Sequence, residues 1–285
     1  MRTFGLVVLI SALLAHPAIS EEASIEVSEI SSKELRLVLA EGGWVVVDLR
    51  GIGGWLEGQY EESPEVFAAG HIPGAYPMGI EKFSDAEGVP LTNEALLARL
   101  QTLGSRASTT VRPRAVTFVL YGGDESDPNP WVAAKQLKAA GLEVVVLLGG
   151  WKSWIKSGGA RLRLIGAREA AELQRGEDTV VIDLREDWDY ASGAIPGASS
   201  IPLRLLPQRL EGVLESRAGF DPLRSSLLFY CYGLDCIRSQ TASIWAAREG
   251  YRELVWLRGG IDAWEAAGFD LWTEPSAEEE LGDTP

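Results

Sequence analysis

The apolar positions of the chain are gathered into short unbroken runs. WVVVDLR (Trp44–Arg50), VTFVLYGG (Val116–Gly123), TVVIDLR (Thr179–Arg185) and SLLFYCYG (Ser226–Gly233) are rich in β-branched and aromatic residues and end in charged or glycine turns. Runs of this kind predict strands buried on both faces, as in a parallel sheet covered by helices. Helical spacing is found over Leu91–Leu103, Trp131–Ala140, Arg204–Ser216 and Arg238–Glu249. Ser31-Ser32-Lys33-Glu34 has the form of a capping box and predicts a helix reaching about Ala40. Strand, turn, helix and next strand make a βαβ crossover.

The pattern occurs twice. The first half contains WVVVDLR, GHIPGAYPM (Gly70–Met78), VTFVLYGG and LLGGWKSWIKSGG (Leu147–Gly159). The second contains TVVIDLR, GAIPGASSIP (Gly193–Pro202), SLLFYCYG and LRGGIDAWEAAGF (Leu257–Phe269), in the same order. A repeat of this size is a duplicated domain. The expectation is two α/β domains, each a mainly parallel sheet flanked by helices, over 25–161 and 165–274, joined near Arg161–Ala167. The acidic end, 275–285, is expected to be a disordered tail. Residues 1–20 read as a secretory signal peptide: Arg2, an apolar stretch Phe4–Leu14 too short to span a bilayer, then Ala18-Ile19-Ser20. The mature protein is then periplasmic or secreted, without a membrane span, in a compartment where a cysteine pair tends to close.

Length and charge narrow the function. The chain has 285 residues, a 46% hydrophobic fraction and a formal net charge of −15. The length suits about two domains. The charge argues against nucleic acid and anionic membrane surfaces as partners, so any anion site must be local. There are two histidines, His16 in the leader and His71. A Ser-His-Asp or Cys-His engine therefore has one candidate base, and a His/Cys zinc site is poorly supplied. His71 falls in a turn, Gly70–Gly74, whose duplicate Gly193–Gly197 has Ala194 in its place. That favours packing over catalysis.

Both cysteines, Cys231 and Cys236, lie in FYCYGLDCIRSQ, between a strand and a helix. Such a position is at the carboxyl edge of an open sheet, where ligands bind. Loop amides and a helix N-terminus there favour thiolate over thiol and can cradle an anion without histidine.

The tandem pattern DLR, G-[HA]-I-P-G-A, strand-Cys-loop-Arg-Ser, GG-x-x-x-W resembles a two-domain rhodanese sulfurtransferase over about Val27–Trp272. The resemblance implies that Cys231 takes a sulfane sulfur from a donor such as thiosulfate, becomes a persulfide and passes the sulfur to a thiophilic acceptor, a thiol or thiol protein, without a cofactor. It implies that Tyr232, Gly233, Leu234, Asp235, Cys236, Ile237 and Arg238 form the anion-binding loop, with Asp183 and Arg185 structural or lining the cleft. Gly122 stands where Cys231 does, so the first domain should be inert. Two features depart from the family. Arg238 comes seven residues after Cys231, whereas many rhodaneses space the pair by about five. The longer loop could hold a larger anion, as in rhodanese-related phosphatases and arsenate reductases, but their spacing is not matched either. Cys236 is the second departure, with Asp235 beside it opposing a thiolate.

Cys236 has three readings: a disulfide partner of Cys231, a resolving thiol that attacks a Cys231 persulfide, or a small buried apolar residue. Arg238 could bind the sulfonate end of thiosulfate or pair with Asp235. Ser239 reads as a helix cap. In Asp48-Leu49-Arg50 and Asp183-Leu184-Arg185, Asp capping a turn and Arg pairing with acidic neighbours is the stronger reading. GGDESDPNPW (Gly122–Trp131) reads as a loop; its acidic residues lack the EF-hand order, and no metal is expected. Trp151, Trp154 and Trp264 read as packing. Beside sulfur transfer stand a thiol–disulfide protein using Cys231 and Cys236, a silent binding module, and distantly phosphatase or arsenate reductase chemistry.

Overall fold

Two five-stranded parallel sheets carry the fold. A computed structural model of the chain describes residues 25–39, 43–51, 65–85, 89–96, 98 and 116–273. The expected leader, the expected acidic tail and much of the later half of the helix expected over Leu91–Leu103 lie outside the described residues.

The first sheet contains β1 (Ser28–Ile30), β2 (Trp44–Asp48), β3 (Tyr76–Pro77), β4 (Thr117–Tyr121) and β5 (Glu143–Leu147), in the order β1-β5-β4-β2-β3. The second contains β6 (Arg161–Ile165), β7 (Thr179–Asp183), β8 (Ser199–Ser200), β9 (Ser226–Tyr230) and β10 (Glu253–Leu257), in the order β6-β10-β9-β7-β8. Every pair within both sheets is parallel. The repeat in sequence is thus a repeat in topology.

The helices described in the first domain include α1 (Ser32–Val38), α2 (Glu65–Ala69), α3 (Asn129–Ala139) and α4 (Gly150–Lys156). Those in the second include α5 (Ala167–Gln174), α6 (Asp187–Ser192), α7 (Leu206–Glu215), α8 (Arg238–Arg248) and α9 (Gly260–Ala266). The capping box forms: Ser31 Oγ accepts from Glu34 N, and Ser31 N donates to a Glu34 carboxylate oxygen. Over Arg204–Ser216 a 3-10 turn, Leu203–Leu205, precedes α7. Pro207 follows in the first turn of α7, where its missing N–H costs nothing.

β4 and β9 are the central strands. Their apolar runs serve two cores at once, because side chains alternate between faces. Leu227, Phe229 and Cys231 join the core that contains Ala242 and Ala246 of α8. Leu228 and Tyr230 join the opposite core, with Ala170 of α5 and Trp264 of α9. Full burial of each large apolar side chain contributes about 1.5–3 kcal/mol. The alternation also decides that Cys231 faces α8 while Tyr230 faces away.

The second sheet begins inside the stretch expected as the join, near Arg161–Ala167. Residues Arg161–Ile165 are strand β6 and pair along their length with β10, so they belong to the second sheet. The other edge of β6 meets the first domain. His71 N donates to Leu162 O (3.0 Å), and Leu162 N to His71 O (2.9 Å), in an antiparallel bridge.

Candidate active site

In the second domain the chain leaves β9 at Tyr230, turns through Cys231–Ile237 and enters α8 at Arg238. Cys231 is 1% exposed, whereas Leu234 and Ile237 are 62% and 65% exposed. The loop therefore presents apolar side chains to solvent above a withdrawn sulfur. Cys231 and Cys236 form a disulfide, with Cα atoms 6.4 Å apart. Of the three readings open for Cys236, this structure shows the first.

The surroundings of Cys231 come from three segments. From α8, Ser239 Oγ lies 3.6 Å from Cys231 Sγ, oriented to donate to it, and Ser239 is fully buried. Ser239 is not the helix cap: Ile237 occupies that position and no side-chain capping bond forms. The residue two places after the cap has its side chain over the strand end instead, and the sequence signal for capping was misleading. From α9, Ile261 N donates to Cys231 O (2.9 Å) and Asp262 N to Tyr232 O (3.1 Å). Those bonds engage the two carbonyls at the strand end in an approach that only glycine permits. Gly260 has φ +56°, and a Cβ there would fall on Cys231 O and Tyr232 O. This is the physical content of the paired glycines in GG-x-x-x-W. The tryptophans of that motif pack as expected: Trp154 Nε1 donates to Ala160 O (2.8 Å) and Trp264 Nε1 to Asp270 O (3.0 Å).

Arg238 donates to Leu184 O (3.0 Å) and pairs with Glu186 (3.3 Å), not with Asp235. Glu186 also pairs with Arg204 (3.2 Å). Tyr232 lies between two guanidinium groups, Arg238 at 5.3 Å and Arg185 at 6.0 Å from its ring. Its hydroxyl donates to Asp189 (2.6 Å). Desolvation first, then the Asp189 bond, pushes the Tyr232 pKa up. Asp235 is exposed and Gly233 half-buried; a Cβ on Gly233 would strike the Asp262 carboxylate. The loop thus has acidic groups on both sides.

Asp183 and Arg185, expected as structural or lining the cleft, are withdrawn beneath it. Asp183 is fully buried and Arg185 is 6% exposed. They pair with each other (2.7 Å), Arg185 Nη2 also donates to Gly193 O (2.6 Å), and Tyr230 donates to Asp183 (2.6 Å) while accepting from Ile195 N (3.1 Å). Burial disfavours the Arg185 charge, but the Asp183 bond and charge outweigh it and hold the pKa above its usual value. Burial and the Asp183 charge raise the Tyr230 pKa. Asp48, Arg50 and Tyr121 repeat the arrangement, with Arg50 bound to Asp48 (2.6 Å) and Gly70 O (2.7 Å), and Tyr121 bound to Asp48 (2.5 Å). A network present in both domains, one of them without a cysteine, is a brace for the Gly-x-Ile-Pro-Gly turn. Loss of one partner of such a buried pair costs about 3–5 kcal/mol.

His71 is likewise structural. It is buried, stacks on Phe67 at 3.7 Å between ring centroids and shares a hydrogen bond with Phe67 O (2.9 Å). Desolvation, with the nearby Arg50 charge, lowers its pKa to about 3.

The first domain shows what the loop does when the cysteine is missing. Counting from the strand end, Gly122 aligns with Cys231 and Asp127 with Cys236. A Cβ on Gly122 would strike the Asp127 carboxylate, which occupies the space that the Cys231 side chain takes in the other domain. Asp127 Oδ2 accepts from Gly123 N (3.0 Å) and Oδ1 from Asn129 N (3.0 Å). No nucleophile stands at this strand end, and a carboxylate fills it. Nothing in the sequence pattern alone identified Asp127 or Ser239 as site residues; the shared loop length was the available signal.

Among the described residues no group of three or more His, Cys, Asp or Glu is placed to hold a metal ion, and no helix is long and apolar enough to cross a membrane. A cavity of ≈ 370 Å³ lies between the domains, lined in part by Arg36, Trp154, Ile244 and Arg248; none of its lining comes from the Cys231 loop.

The rhodanese-like domain model matches residues 31–157 and 166–267. A sulfurtransferase of Allochromatium vinosum is 30% identical over 95 residues, which are 33% of this chain and 79% of that protein. A tRNA uridine(34) hydroxylase of Shouchella clausii is 32% identical over 97 residues, 34% of this chain and 29% of that one. Among solved structures, a thiosulfate sulfurtransferase from Pseudomonas aeruginosa is similar at TM-score 0.35 and 21% identity, covering 88% of this chain and 44% of that chain. A 3-mercaptopyruvate sulfotransferase from Escherichia coli is similar at TM-score 0.35 and 18% identity, covering 82% and 99%.

Proposed function

Because the chain belongs to the rhodanese family, carrying the rhodanese-like domain twice, we propose that it is a sulfurtransferase working through Cys231 of its second domain. The observation that carries this reading is the seat of the Cys231 sulfur. It lies where central strand β9 ends and eleven-residue helix α8 begins, 3.6 Å from the Ser239 hydroxyl. Once the disulfide is reduced, the helix N-terminus and the Ser239 hydroxyl both favour the thiolate. The carbonyls of Cys231 and Tyr232 accept from α9 amides, so they are engaged away from the sulfur's charge.

The thiolate attacks the outer sulfur of a donor such as thiosulfate. The Cys231 S–S bond forms, the donor S–S bond breaks, and the electron pair leaves with sulfite. Arg238 serves the sulfonate by exchanging Glu186 for it, in a charge-assisted contact. A thiol acceptor then removes the persulfide sulfur. No cofactor enters these steps. The sulfurtransferase relative in Allochromatium vinosum supports the reaction class. A second reading, thiol–disulfide exchange through the same pair, draws on the closed disulfide.

The test is mass spectrometry of the protein, reduced, freed of reductant and mixed with thiosulfate. A gain of one sulfur that requires Cys231, or release of sulfite that requires it, is the expected result. A Cys231→Ala variant that releases as much sulfite as the parent would sink the assignment.

A further inference from the structure

Cys236 is placed to do more than protect Cys231. We infer that Cys236 is a resolving thiol that expels the transferred sulfur as hydrosulfide, making the protein a dithiol-driven reductant of sulfane sulfur. This rests on the reading of Cys231 as the sulfur acceptor.

Three observations carry it. The first is reach. Cys236 bonds to the Cys231 sulfur across a Cα separation of 6.4 Å, within the range that a disulfide spans. The second is that the loop backbone itself supplies the reach. In the first domain the same position is Asp127, and with no covalent bond its carboxylate also folds onto the strand end. A side chain five residues after the strand-end position is therefore held there in the absence of a disulfide, and a reduced Cys236 would sit beside a Cys231 persulfide. The third is access. Cys231 is 1% exposed, whereas Cys236 is half-buried at the loop surface. An external acceptor meets Cys236 first.

The reaction balances. The Cys236 sulfur attacks Sγ of the Cys231 persulfide; the Cys231–Cys236 bond forms and the bond to the outer sulfur breaks. The outer sulfur leaves with that electron pair and takes the Cys236 proton, departing as hydrosulfide. Hydrosulfide is a weaker base than an alkyl thiolate and is the better leaving group. The persulfide's sulfane sulfur is reduced by two electrons and the two cysteines are oxidised to the disulfide. A dithiol then reduces the disulfide by exchange and becomes a disulfide itself. The net change with thiosulfate is thiosulfate plus dithiol to sulfite, hydrosulfide, oxidised dithiol and one proton. The disulfide seen here is the product state of that cycle. Leu234 and Ile237, exposed on the same loop, suit a reductant that carries its dithiol on an apolar surface.

The experiment is one turnover. The full chain is reduced with dithiothreitol, desalted without oxygen and given one equivalent of thiosulfate. Sulfite, hydrosulfide and the final protein mass are then measured. The expected result is sulfite and hydrosulfide in about equal yield, near one per chain, with protein ending as the disulfide. A Cys236→Ser variant should end as the persulfide, with hydrosulfide lowered at least about tenfold. Wild-type protein that ends one sulfur heavier, with sulfite but no hydrosulfide, overturns the inference and leaves the sulfurtransferase reading standing. No sulfite from wild-type protein overturns both. The wild-type outcome decides the matter even if the variant folds poorly.

Discussion

Asp127 and Cys236 are the same residue of one loop drawn twice: each lies six positions after the last residue of a central strand, and each turns its side chain back onto that end. In one domain the partner is a cysteine and the contact is covalent. In the other it is a glycine, and the carboxylate is held by the amides of Gly123 and Asn129. The pair predicts a coupling. Gly122→Ala should destabilise the protein by about 1–3 kcal/mol, because its Cβ meets the Asp127 carboxylate. Adding Asp127→Gly should cost less than the sum of the two single changes. Denaturant titration of the four proteins in the cycle checks this, and strict additivity would mean that the two side chains do not share the space.

Ser239 should tune the sulfur without holding the fold. Ser239→Ala removes the hydroxyl that lies 3.6 Å from Cys231 Sγ. The reduced protein should then react with a thiolate-selective alkylating agent more slowly at pH 7, by about threefold to tenfold, with the midpoint of the pH profile moved up. An unchanged profile would confine Ser239 to packing.

Glu186 should act as a brake on anionic donors. It holds Arg238 at 3.3 Å and Arg204 at 3.2 Å. Glu186→Gln should lower the KM for thiosulfate by a few-fold with a smaller change in kcat, since a charge is removed from the donor's path. Arg238→Ala should raise the KM. A KM that ignores both changes would remove Arg238 from donor binding.

His71 should set part of the acid limb of stability. Its folded-state pKa, about 3, lies below the ordinary 6.5, so the unfolded chain binds the proton more readily. Stability from this group is fully present above about pH 6.5 and falls as the pH drops toward 3, by up to about 1.4 kcal/mol per pH unit. In His71→Asn the difference in unfolding free energy between pH 7 and pH 5 should shrink, even if the variant is less stable at both. An unchanged difference would place the acid sensitivity elsewhere.

Much of the fold was legible because it depends on local pattern. Continuous β-branched runs marked the central strands, and the repeat of DLR, Ile-Pro-Gly and GG-x-x-x-W in fixed order marked two copies of one topology. The site was legible only as a stretch of chain. Which way Ser239 points depends on where α8 begins, and the capping preference of serine gave the wrong answer because Ile237 is the cap and Arg238 starts the helix. The reach of Asp127 and Cys236 is a property of a loop's path through space, which composition does not encode. Strand β6 falls in the stretch expected to join the domains, where the run RLRLI alternates charge with leucine. It is the edge of its sheet, with Leu162 buried and Arg161 and Arg163 turned outward to Glu253 and Glu169.

That edge gives the first domain a duty. β6 has β10 on one side only, and an unpaired strand edge is a template on which a second chain can add itself. The main chain of His71 closes part of this edge by exchanging two hydrogen bonds with Leu162. The first domain thus serves as a guard rail: cut away before Arg161, it would leave the second domain with a bare strand and a tendency to stack into aggregates.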